Sequence, residues 1–289
     1  MKKNLLTLSL LIISFTGFSA EKVITGYIAR YRFHSLGETK GIHFICLIPQ
    51  NIEKVQKVIN IEYSMPPERV FTKDGNRYAE FNIESVGKST KLIINVDMEV
   101  YQYDFETIKQ NPRLNKETID PEIYLKEEKY ISLSDNLIRT VAPRLKGSDT
   151  LSTLTNIHKF IQNNLTYEVT NRSIGADKVF KNKKGDCVEY SDLFVSLCRA
   201  NNIPSRVVTG FVTHYKKNPK HAWAEVYSNK YGWIRFEPTT KYKKDFLSLN
   251  NNYIQLSTVR NDRVLNNNYF FKYTFKGNPA LLKERIKVK

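Results

Sequence analysis

The sequence lacks any apolar run long enough to cross a membrane, which takes about 20 residues. The longest such run, residues 5–18, follows the basic start Met1–Lys3 and ends in small residues around Ser19. A basic start, a short apolar core and small residues at its end are typical of a secretory signal peptide. We therefore predict a signal peptide over residues 1–19, with cleavage after Ser19 or Ala20. The mature protein is expected to be periplasmic or secreted, with no membrane span.

Cysteine is also scarce. Only Cys46, Cys187 and Cys198 occur among the 289 residues. An odd number in an exported protein leaves at least one free thiol or an intermolecular bridge. The count therefore excludes a disulfide scaffold and leaves a thiol available for chemistry.

Acidic residues are outnumbered by basic ones. The chain has 45 lysines and arginines against 29 aspartates and glutamates, and its formal net charge is +16. Loss of Lys2 and Lys3 with the signal peptide would leave +14. A balance this basic favours anionic partners. Because no nucleic-acid recognition motif is present, we expect anionic cell-surface polymers or acidic peptides, and no nucleic acid.

Residues 20–108 show the pattern of a small all-β domain. Three stretches alternate apolar and polar residues, with the period of two that half-buried strands have: 23–33, 57–63 and 92–101. Lys73-Asp74-Gly75-Asn76 has the composition of a hairpin turn. Several short strands without helices predict a sandwich-like domain.

A polar linker, residues 109–124, is predicted to lead to a second domain, residues 125–289. Helix signals come first: a helix capped by Ser134, another capped by Ser148 or Asp149, and a third from Cys187 to about Ala200. Strands are then predicted over 206–213, 221–227, 233–236, 253–259 and 269–275. Helices followed by an antiparallel sheet predict an α+β fold.

Cys187 lies at the predicted start of a helix. Gly185 permits a turn before it, and Asp186 is a favourable N-cap residue. The helix dipole and the free backbone N–H groups at such a position favour a thiolate over a thiol. The same N–H groups can stabilise the oxyanion of a tetrahedral intermediate. Cys187 is therefore a candidate nucleophile, although a lone cysteine is also typical of simple packing.

A second segment supplies candidate partners for this thiol. His221 begins one predicted strand and Glu237 ends the next, and these ends lie side by side in an antiparallel hairpin. A catalytic imidazole needs such a carboxylate to fix its tautomer and to stabilise its charged form. Glu225 shares a face with His221, but it is four residues further along, about 13 Å. Glu237 is therefore the better candidate.

The segments that carry these residues resemble the transglutaminase-like branch of the papain-fold superfamily. They are GDCVEYSDLFVSLCRANNIPSRVVTGF and HAWAEVYSNKYGWIRFEPT. That branch has a G-x-C helix, an I-P-x-R strand, and then H-A-W-x-E-x-Y and G-W-x-x-x-D-P-T. Residues 259–262, Val-Arg-Asn-Asp, resemble its weaker trailing motif.

The resemblance covers residues from about 125 to 275. It implies a papain-like, transglutaminase-like core of helices packed on an antiparallel sheet, acting without a cofactor. It also implies that Cys187 attacks an amide or ester carbonyl to give a thioester. His221 would activate the thiol, and Glu237 would complete the triad.

Two features depart from the family pattern. The acidic residue is usually aspartate, whereas Glu237 is one methylene longer. Animal transglutaminases stabilise the oxyanion with a tryptophan upstream of the cysteine, whereas Trp223 and Trp233 both lie downstream. The apolar wall that protects a thioester from water is therefore not evident, which favours hydrolysis over crosslinking.

Basic and aromatic residues near the motifs are candidates for substrate binding. Lys184 and Lys220 belong to two lysine clusters, one before the nucleophile and one before the base: Lys181, Lys183 and Lys184, and Lys216, Lys217 and Lys220. The clusters could attract a carboxylate-rich substrate such as a cell-wall peptide, or they could be ordinary solvated charge. Trp223 could line the cleft or pack in the core.

No metal site is predicted. His43 and Cys46 lie on opposite faces of a strand, and His158 and His214 have no ligand spacing. Cys198 lies eleven residues after Cys187 on the same helix, about 16 Å away. It is therefore expected to be a buried hydrophobic residue.

The sequence thus predicts a cysteine peptidase or amidase, or a transglutaminase-type acyltransferase, acting on peptide or glutamine-type amides. Two alternatives remain open. One is an inactive module for surface binding or assembly, suggested by Glu237 and the β-rich first domain. The other is a polyanion binder, whose binding would survive Cys187→Ala but weaken in salt.

Overall fold

The computed structural model describes residues 21–84, 86–110, 119–169, 173–240 and 246–289. The predicted signal peptide and the centre of the predicted linker lie outside these ranges. Within them, no helix is both long enough and apolar enough to cross a bilayer.

The described part of the chain contains sixteen strands and five α-helices. The strands are β1 (Lys22–Ser35), β2 (Thr39–Ile48), β3 (Gln56–Tyr63), β4 (Arg69–Lys73), β5 (Asn76–Ile83), β6 (Ser89–Tyr101), β7 (Tyr103–Asp104), β8 (Thr166–Tyr167), β9 (Lys184–Gly185), β10 (Ser205–Val212), β11 (Lys220–Ser228), β12 (Gly232–Phe236), β13 (Ser248–Leu249), β14 (Tyr253–Ser257), β15 (Phe271–Gly277) and β16 (Ala280–Val288). The helices are α1 (Phe105–Gln110), α2 (Asn136–Val141), α3 (Thr150–Asn164), α4 (Ala176–Asn182) and α5 (Cys187–Ala200). Short 3₁₀ turns occupy Pro121–Tyr124 and Ala142–Leu145.

Eight strands form a sandwich of two antiparallel sheets, with the orders β16-β1-β6-β3 and β15-β2-β5-β4. Alternate residues of each strand point inward, and aromatic rings fill the space between the sheets. The Phe44 ring, for example, lies 4.6 Å from that of Tyr31 on the facing sheet. The predicted hairpin turn joins β4 to β5, with positive φ at Asp74 and Gly75. Two consecutive positive φ angles are what a type I′ turn requires.

The last two strands return to this sandwich and do not extend the second domain. β15 pairs with β2, and β16 pairs with β1. The sequence predicts a second domain over residues 125–289 and no strand over 280–288, whereas β15 and β16 belong to the sandwich, so the domain boundary differs from the prediction. Alternation shows that a segment is a strand, but its partner is decided by contacts remote in sequence.

The chain between the two parts of the sandwich has the predicted α+β order, which is confirmed. Helices come first and pack on an antiparallel sheet of order β12-β11-β10-β14. Helix α5 lies at the centre, and twelve of its fourteen residues are buried. Its Phe194 ring packs 5.5 Å from Phe236 of β12. The core is therefore built around the helix that begins at Cys187.

Buried polar contacts join this unit to the sandwich. The Gln56 side chain donates to the carbonyl of Gln255 (2.9 Å) and accepts from its N–H (2.8 Å). The Asn76 side chain donates to the Ser257 hydroxyl at 2.7 Å. Phe211 of β10 enters the sandwich core beside Tyr27, with a centroid distance of 4.8 Å. The sandwich therefore supports the sheet that carries the candidate base.

Candidate active site

Cys187 is the first residue of α5, as predicted. The Asp186 carboxylate caps the helix by accepting from the N–H of Val188 at 2.9 Å. The Glu189 carboxylate accepts in turn from the N–H of Asp186 at 3.2 Å. This capping box fixes the start of the helix. The thiol therefore lies at the positive end of the dipole of a 14-residue helix.

Gly185 is required by the close approach of the helix to β9. A Cβ atom at this position would lie only 2.5 Å from the Cβ of Glu189. β9 pairs in parallel with β8, where Tyr167 is the register partner of Gly185. This short pair brings Tyr167 beside the start of α5.

His221 and Glu237 are in direct contact. His221 is the second residue of β11, and Glu237 directly follows β12. The imidazole Nε2 lies 2.8 Å from Oε2 of Glu237, and both side chains are buried. The hairpin geometry inferred from the sequence therefore accounts for this pair.

The Glu237 carboxylate accepts hydrogen bonds from several other donors. The Tyr253 hydroxyl donates to Oε2 at 2.8 Å, while the N–H and hydroxyl of Thr239 donate to Oε1 at 3.1 Å and 2.5 Å. Burial by itself raises the pKa of Glu237. The charge of His221 and the side-chain hydrogen bonds outweigh burial, so the net pKa lies below its usual value. Glu237 is therefore ionised and fixed in place.

The imidazole of His221 interacts with both Glu237 and Cys187. Burial alone lowers the pKa of His221. The negative charge of Glu237, hydrogen bonds with Cys187 and Glu237, and the charge of Cys187 together outweigh this effect. The pKa of His221 consequently lies well above 6.5. Because Nε2 faces Glu237, Nδ1 is the ring nitrogen left for the thiol.

Tyr167 is a residue that the sequence analysis missed. Its hydroxyl interacts with the backbone N–H and the thiol of Cys187. Burial, and then the negative charge of Cys187 and Asp186, raise the pKa of Tyr167, so the hydroxyl keeps its proton. The side chain is 51% exposed, and it is therefore open to a ligand as well as to the thiol. The only available signal was an aromatic residue upstream of the cysteine.

The three residues predicted from the sequence as substrate contacts have partners within the protein. Trp223 is completely buried and packs edge-on against Tyr253, which corresponds to core packing and not to a cleft wall. The Lys184 ammonium pairs with Glu168 at 2.9 Å. Lys220 pairs with Glu284 of β16 and lies over the ring of Phe270. As a neighbour of His221 on one strand, it points to the opposite face.

The trailing motif fixes α5 against the rest of the protein. The guanidinium of Arg260 donates twice to the buried Asp192 of α5, at 2.7 Å and 2.8 Å. The next acidic residue, Asp262, accepts from the Tyr78 hydroxyl of the sandwich at 2.7 Å. These contacts hold the nucleophile helix in position without touching the thiol.

The remaining candidates have structural surroundings. Glu225 pairs with Arg206 at 2.7 Å and Arg235 at 3.3 Å, so it is not a partner of His221. Cys46 and Cys198 are fully buried, and burial raises the pKa of both thiols. Among the residues described, no cluster of three or more His, Cys, Asp or Glu side chains could hold a metal ion.

Comparison with known proteins identifies the domain that contains this site. The transglutaminase-like superfamily matches residues 139–238, a segment that includes Cys187, His221 and Glu237. YebA of Bacillus subtilis (strain 168), described as an uncharacterized protein, is 29% identical over 184 residues. That alignment covers 54% of this chain but only 24% of YebA, so this chain spans about a quarter of its relative.

A solved structure shares the fold. A candidate cysteine protease from Cytophaga hutchinsonii aligns with a TM-score of 0.68 and 19% identity, covering 93% of this chain and 91% of its own. The periplasmic domain of TgpA from Pseudomonas aeruginosa aligns more weakly, with a TM-score of 0.39, 17% identity and coverage of 77% and 91%. The chain therefore contains a transglutaminase-like domain with a transglutaminase-like core, and the resemblance found in the motifs is confirmed.

Proposed function

We propose that the transglutaminase-like domain of this chain is a thiol enzyme that forms a thioester with amide carbonyls. The observation that carries the proposal is one buried imidazole in contact with two groups. His221 binds the Glu237 carboxylate through Nε2 at 2.8 Å, and its pKa is raised in part by a hydrogen bond from the Cys187 thiol. The Glu237 carboxylate on one side of the ring and the Cys187 sulfur on the other favour a thiolate–imidazolium pair.

In the proposed reaction, the Cys187 thiolate attacks the carbonyl carbon of an amide. When the tetrahedral intermediate collapses, the carbon–nitrogen bond breaks and the His221 imidazolium gives its proton to the leaving amine. A thioester on Cys187 remains. His221 then takes a proton from water, whose oxygen attacks the thioester, and the carboxylic acid leaves as the thiol is restored. Glu237 keeps the ring in one orientation and stabilises its charge throughout.

Tyr167 is proposed to donate a hydrogen bond to the oxyanion of the tetrahedral intermediate. Its hydroxyl keeps its proton because its pKa is raised, and it interacts with the backbone N–H of Cys187. Two neighbouring donors of this kind are the usual composition of an oxyanion site. Tyr167 would thus supply the upstream aromatic donor for which the sequence has no tryptophan.

The acyl acceptor is proposed to be water more often than an amine. Tyr167 is half exposed, and the two tryptophans are buried within the core where they cannot cover a thioester. The substrates proposed are peptide or glutamine-type amides outside the cytoplasm, including acidic cell-wall peptides. A periplasmic or secreted location is part of the proposal and rests on the pattern of residues 1–19.

Competition between the three thiols tests the nucleophile directly. The native protein is treated with substoichiometric iodoacetamide, and the alkylated cysteines are identified by mass spectrometry. We expect Cys187 to react first, while the buried Cys46 and Cys198 react only after unfolding. Equal, slow labelling of all three would contradict the proposal and support an inactive module for binding or assembly.

The reaction is tested with the same protein and its Cys187→Ala variant. Both are incubated with peptidoglycan stem peptides and a glutamine-containing peptide library, with and without an added amine. Cleavage or ammonia release by the parent protein alone is the expected result, and amine incorporation would identify transfer. Activity that persists in Cys187→Ala would overturn the assignment of the nucleophile.

A further inference from the structure

One face of the sandwich carries a group of cations on neighbouring strands. β16 contributes Lys283, Arg285 and Lys287, β1 contributes Arg30 and Arg32, and β6 contributes Lys91. We call these six residues the cationic face. Their chain neighbours, such as Tyr31 and Phe33, are buried in the sandwich, so alternation directs the six side chains outward.

The strand register places like charges directly opposite each other. Arg32 of β1 is the partner of Lys283 on one side and of Lys91 on the other. Arg30 is the partner of Arg285. Like charges at directly opposed positions destabilise a sheet. Folding alone therefore does not account for this arrangement.

Carboxylates do not neutralise the cationic face. In the described part of the chain, none of its six residues forms an ion pair, whereas other basic residues such as Lys22 and Lys289 do. The glutamate on β16, Glu284, points to the opposite face and binds Lys220. Glu62 lies on β3, three strands from β16, where it accepts from Asn60 and Asn95.

The cationic face continues into a concave surface at the start of β11. Arg285 and Lys287 line a cavity of about 400 Å³ together with Lys216, Lys217 and the Lys220–Glu284 ion pair, so the lining carries five cations and one carboxylate. Lys216 and Lys217 belong to the loop that leads into β11 and hence to His221. Both are exposed. The positive charge therefore extends from the flat sheet into a pocket near the strand that carries the base.

We propose that the cationic face and this pocket bind a linear polymer of phosphate groups. The binding is separate from the thiol chemistry and does not require it. Cations on this sheet are spaced by about 4.8 Å across strands and about 6.7 Å along them. The oxygens of a tetrahedral phosphate point in several directions, so one phosphate can accept hydrogen bonds from cations on neighbouring strands and from cations along the same strand. The two oxygens of a planar carboxylate can reach only one pair of cations.

The shape of the surface favours a flexible chain over a lipid bilayer. A polymer can follow the strands and turn into the cavity between β16 and the loop at Lys216 and Lys217. A flat bilayer would contact the sheet but could not enter the cavity. Three of the six cations are arginines, whose fork of donors binds phosphate oxygens in pairs.

Binding of fluorescently labelled inorganic polyphosphate to the full chain tests the proposal. Anisotropy titrations between 50 and 300 mM NaCl give the affinity and its salt dependence for the parent protein and for Arg32→Gln/Lys91→Gln/Lys283→Gln. We expect the triple variant to bind at least tenfold more weakly. The slope of log affinity against log salt concentration should become shallower by about 2, because each phosphate contact on a single-stranded polyanion contributes about 0.7 to its magnitude. Cys187→Ala should bind as the parent does.

A matched control removes three exposed lysines away from the cationic face. Lys73→Gln/Lys159→Gln/Lys178→Gln changes the net charge equally and should bind nearly as the parent does. Equal weakening of this control would show a general charge effect and overturn the proposal. Unchanged binding by the triple variant would overturn it too.

Competing anions and a second variant complete the test. Equal affinity for polyglutamate of matched length, or binding to phosphatidylglycerol vesicles but not to polyphosphate, would contradict the proposal. The melting temperature of the triple variant should match or exceed the parent's, because like-charge pairs are removed. If the triple variant does not fold, Lys216→Gln/Lys217→Gln on the exposed loop should still make the slope of log affinity against log salt concentration shallower. An unchanged slope would contradict binding of the polymer in the pocket.

Discussion

Shortening Glu237 tests whether the longer acidic residue is fitted to this site. Glu237→Asp withdraws the carboxylate by about 1.5 Å, the length of one carbon–carbon bond. The 2.8 Å contact with His221 Nε2 would then exceed hydrogen-bonding range unless the backbone moved. That backbone is held, because the N–H of Glu237 donates to the carbonyl of Phe246 at 3.1 Å. We therefore expect the aspartate variant to be less active, although aspartate is the usual residue in this family.

The magnitude follows from the hydrogen bond that is lost. A hydrogen bond between charged groups contributes about 1.5–3 kcal/mol, and 1.36 kcal/mol changes a rate tenfold. Glu237→Asp should thus lower the amide-cleavage rate by about 10- to 150-fold. Glu237→Gln keeps the length but removes the charge. Without the negative charge of Glu237, less remains to offset the effect of burial, which lowers the pKa of His221. That pKa should therefore fall toward or below 6.5.

The assay is the rate of Cys187 alkylation by iodoacetamide between pH 5 and pH 9. In the parent protein the imidazolium persists well above pH 6.5 and supports the thiolate. In Glu237→Gln the imidazolium is lost at lower pH, so alkylation near pH 7 should slow. Glu38→Gln, an exposed glutamate of the sandwich, serves as the control. A Glu237→Asp variant that cleaves amides as fast as the parent would refute the predicted loss. A Glu237→Gln variant whose alkylation rate has an unchanged pH profile would refute the predicted fall in the pKa of His221.

Three further changes probe neighbouring parts of the site. Tyr167→Phe should lower kcat for amide cleavage by about 10- to 100-fold and leave KM unchanged. The iodoacetamide rate should fall much less, because alkylation forms no oxyanion and loses only the contact between the hydroxyl and the Cys187 thiol; an equal loss in both assays would contradict the proposed role. Burial, together with hydrogen bonding and charge from a neighbouring aspartate, raises the pKa of Glu189 from 4.5 to about 7. The folded protein therefore retains this proton at a higher pH than the unfolded chain, and the parent should lose stability between pH 4.5 and 7. Urea unfolding at several pH values should show a smaller loss in Glu189→Gln, and identical pH dependence would argue against the shift. Arg260→Ala leaves the buried carboxylate of Asp192 unpaired and should cost about 3–5 kcal/mol of unfolding free energy. Arg260→Met/Asp192→Leu should recover most of that loss, and failure to do so would indicate a different role for the pair.

The sequence was sufficient wherever chemistry is encoded by local spacing. Gly185-Asp186 before an apolar periodic segment predicted the start of α5 at Cys187, and the structure has the helix start there. The two ends of one short hairpin predicted the contact between His221 and Glu237, because antiparallel pairing leaves little freedom over so few residues. These features depend on neighbours within a few residues or on a single turn.

Features that depend on remote pairing could not be predicted. Tyr167 reaches Cys187 through a parallel pair of only two residues per strand, which is too short to leave a periodic pattern. Trp223 could equally have lined a cleft, and only the assembled core shows it completely buried. Lys220 precedes the base as expected, but its partner is Glu284, sixty-four residues further along the chain. No local signal specifies such a partner.

The return of the chain to its first domain links these observations. β16 completes the sandwich at the edge of β1, and the same strand supplies Glu284 to Lys220, the neighbour of His221. Its outward side chains, Arg285 and Lys287, line the cavity beside the loop before β11. The position of that loop therefore depends on β16, so the sandwich contributes to the environment of the candidate base. A polyanion bound along β16 would lie against the loop that leads to His221, which physically connects the two proposed activities although neither requires the other.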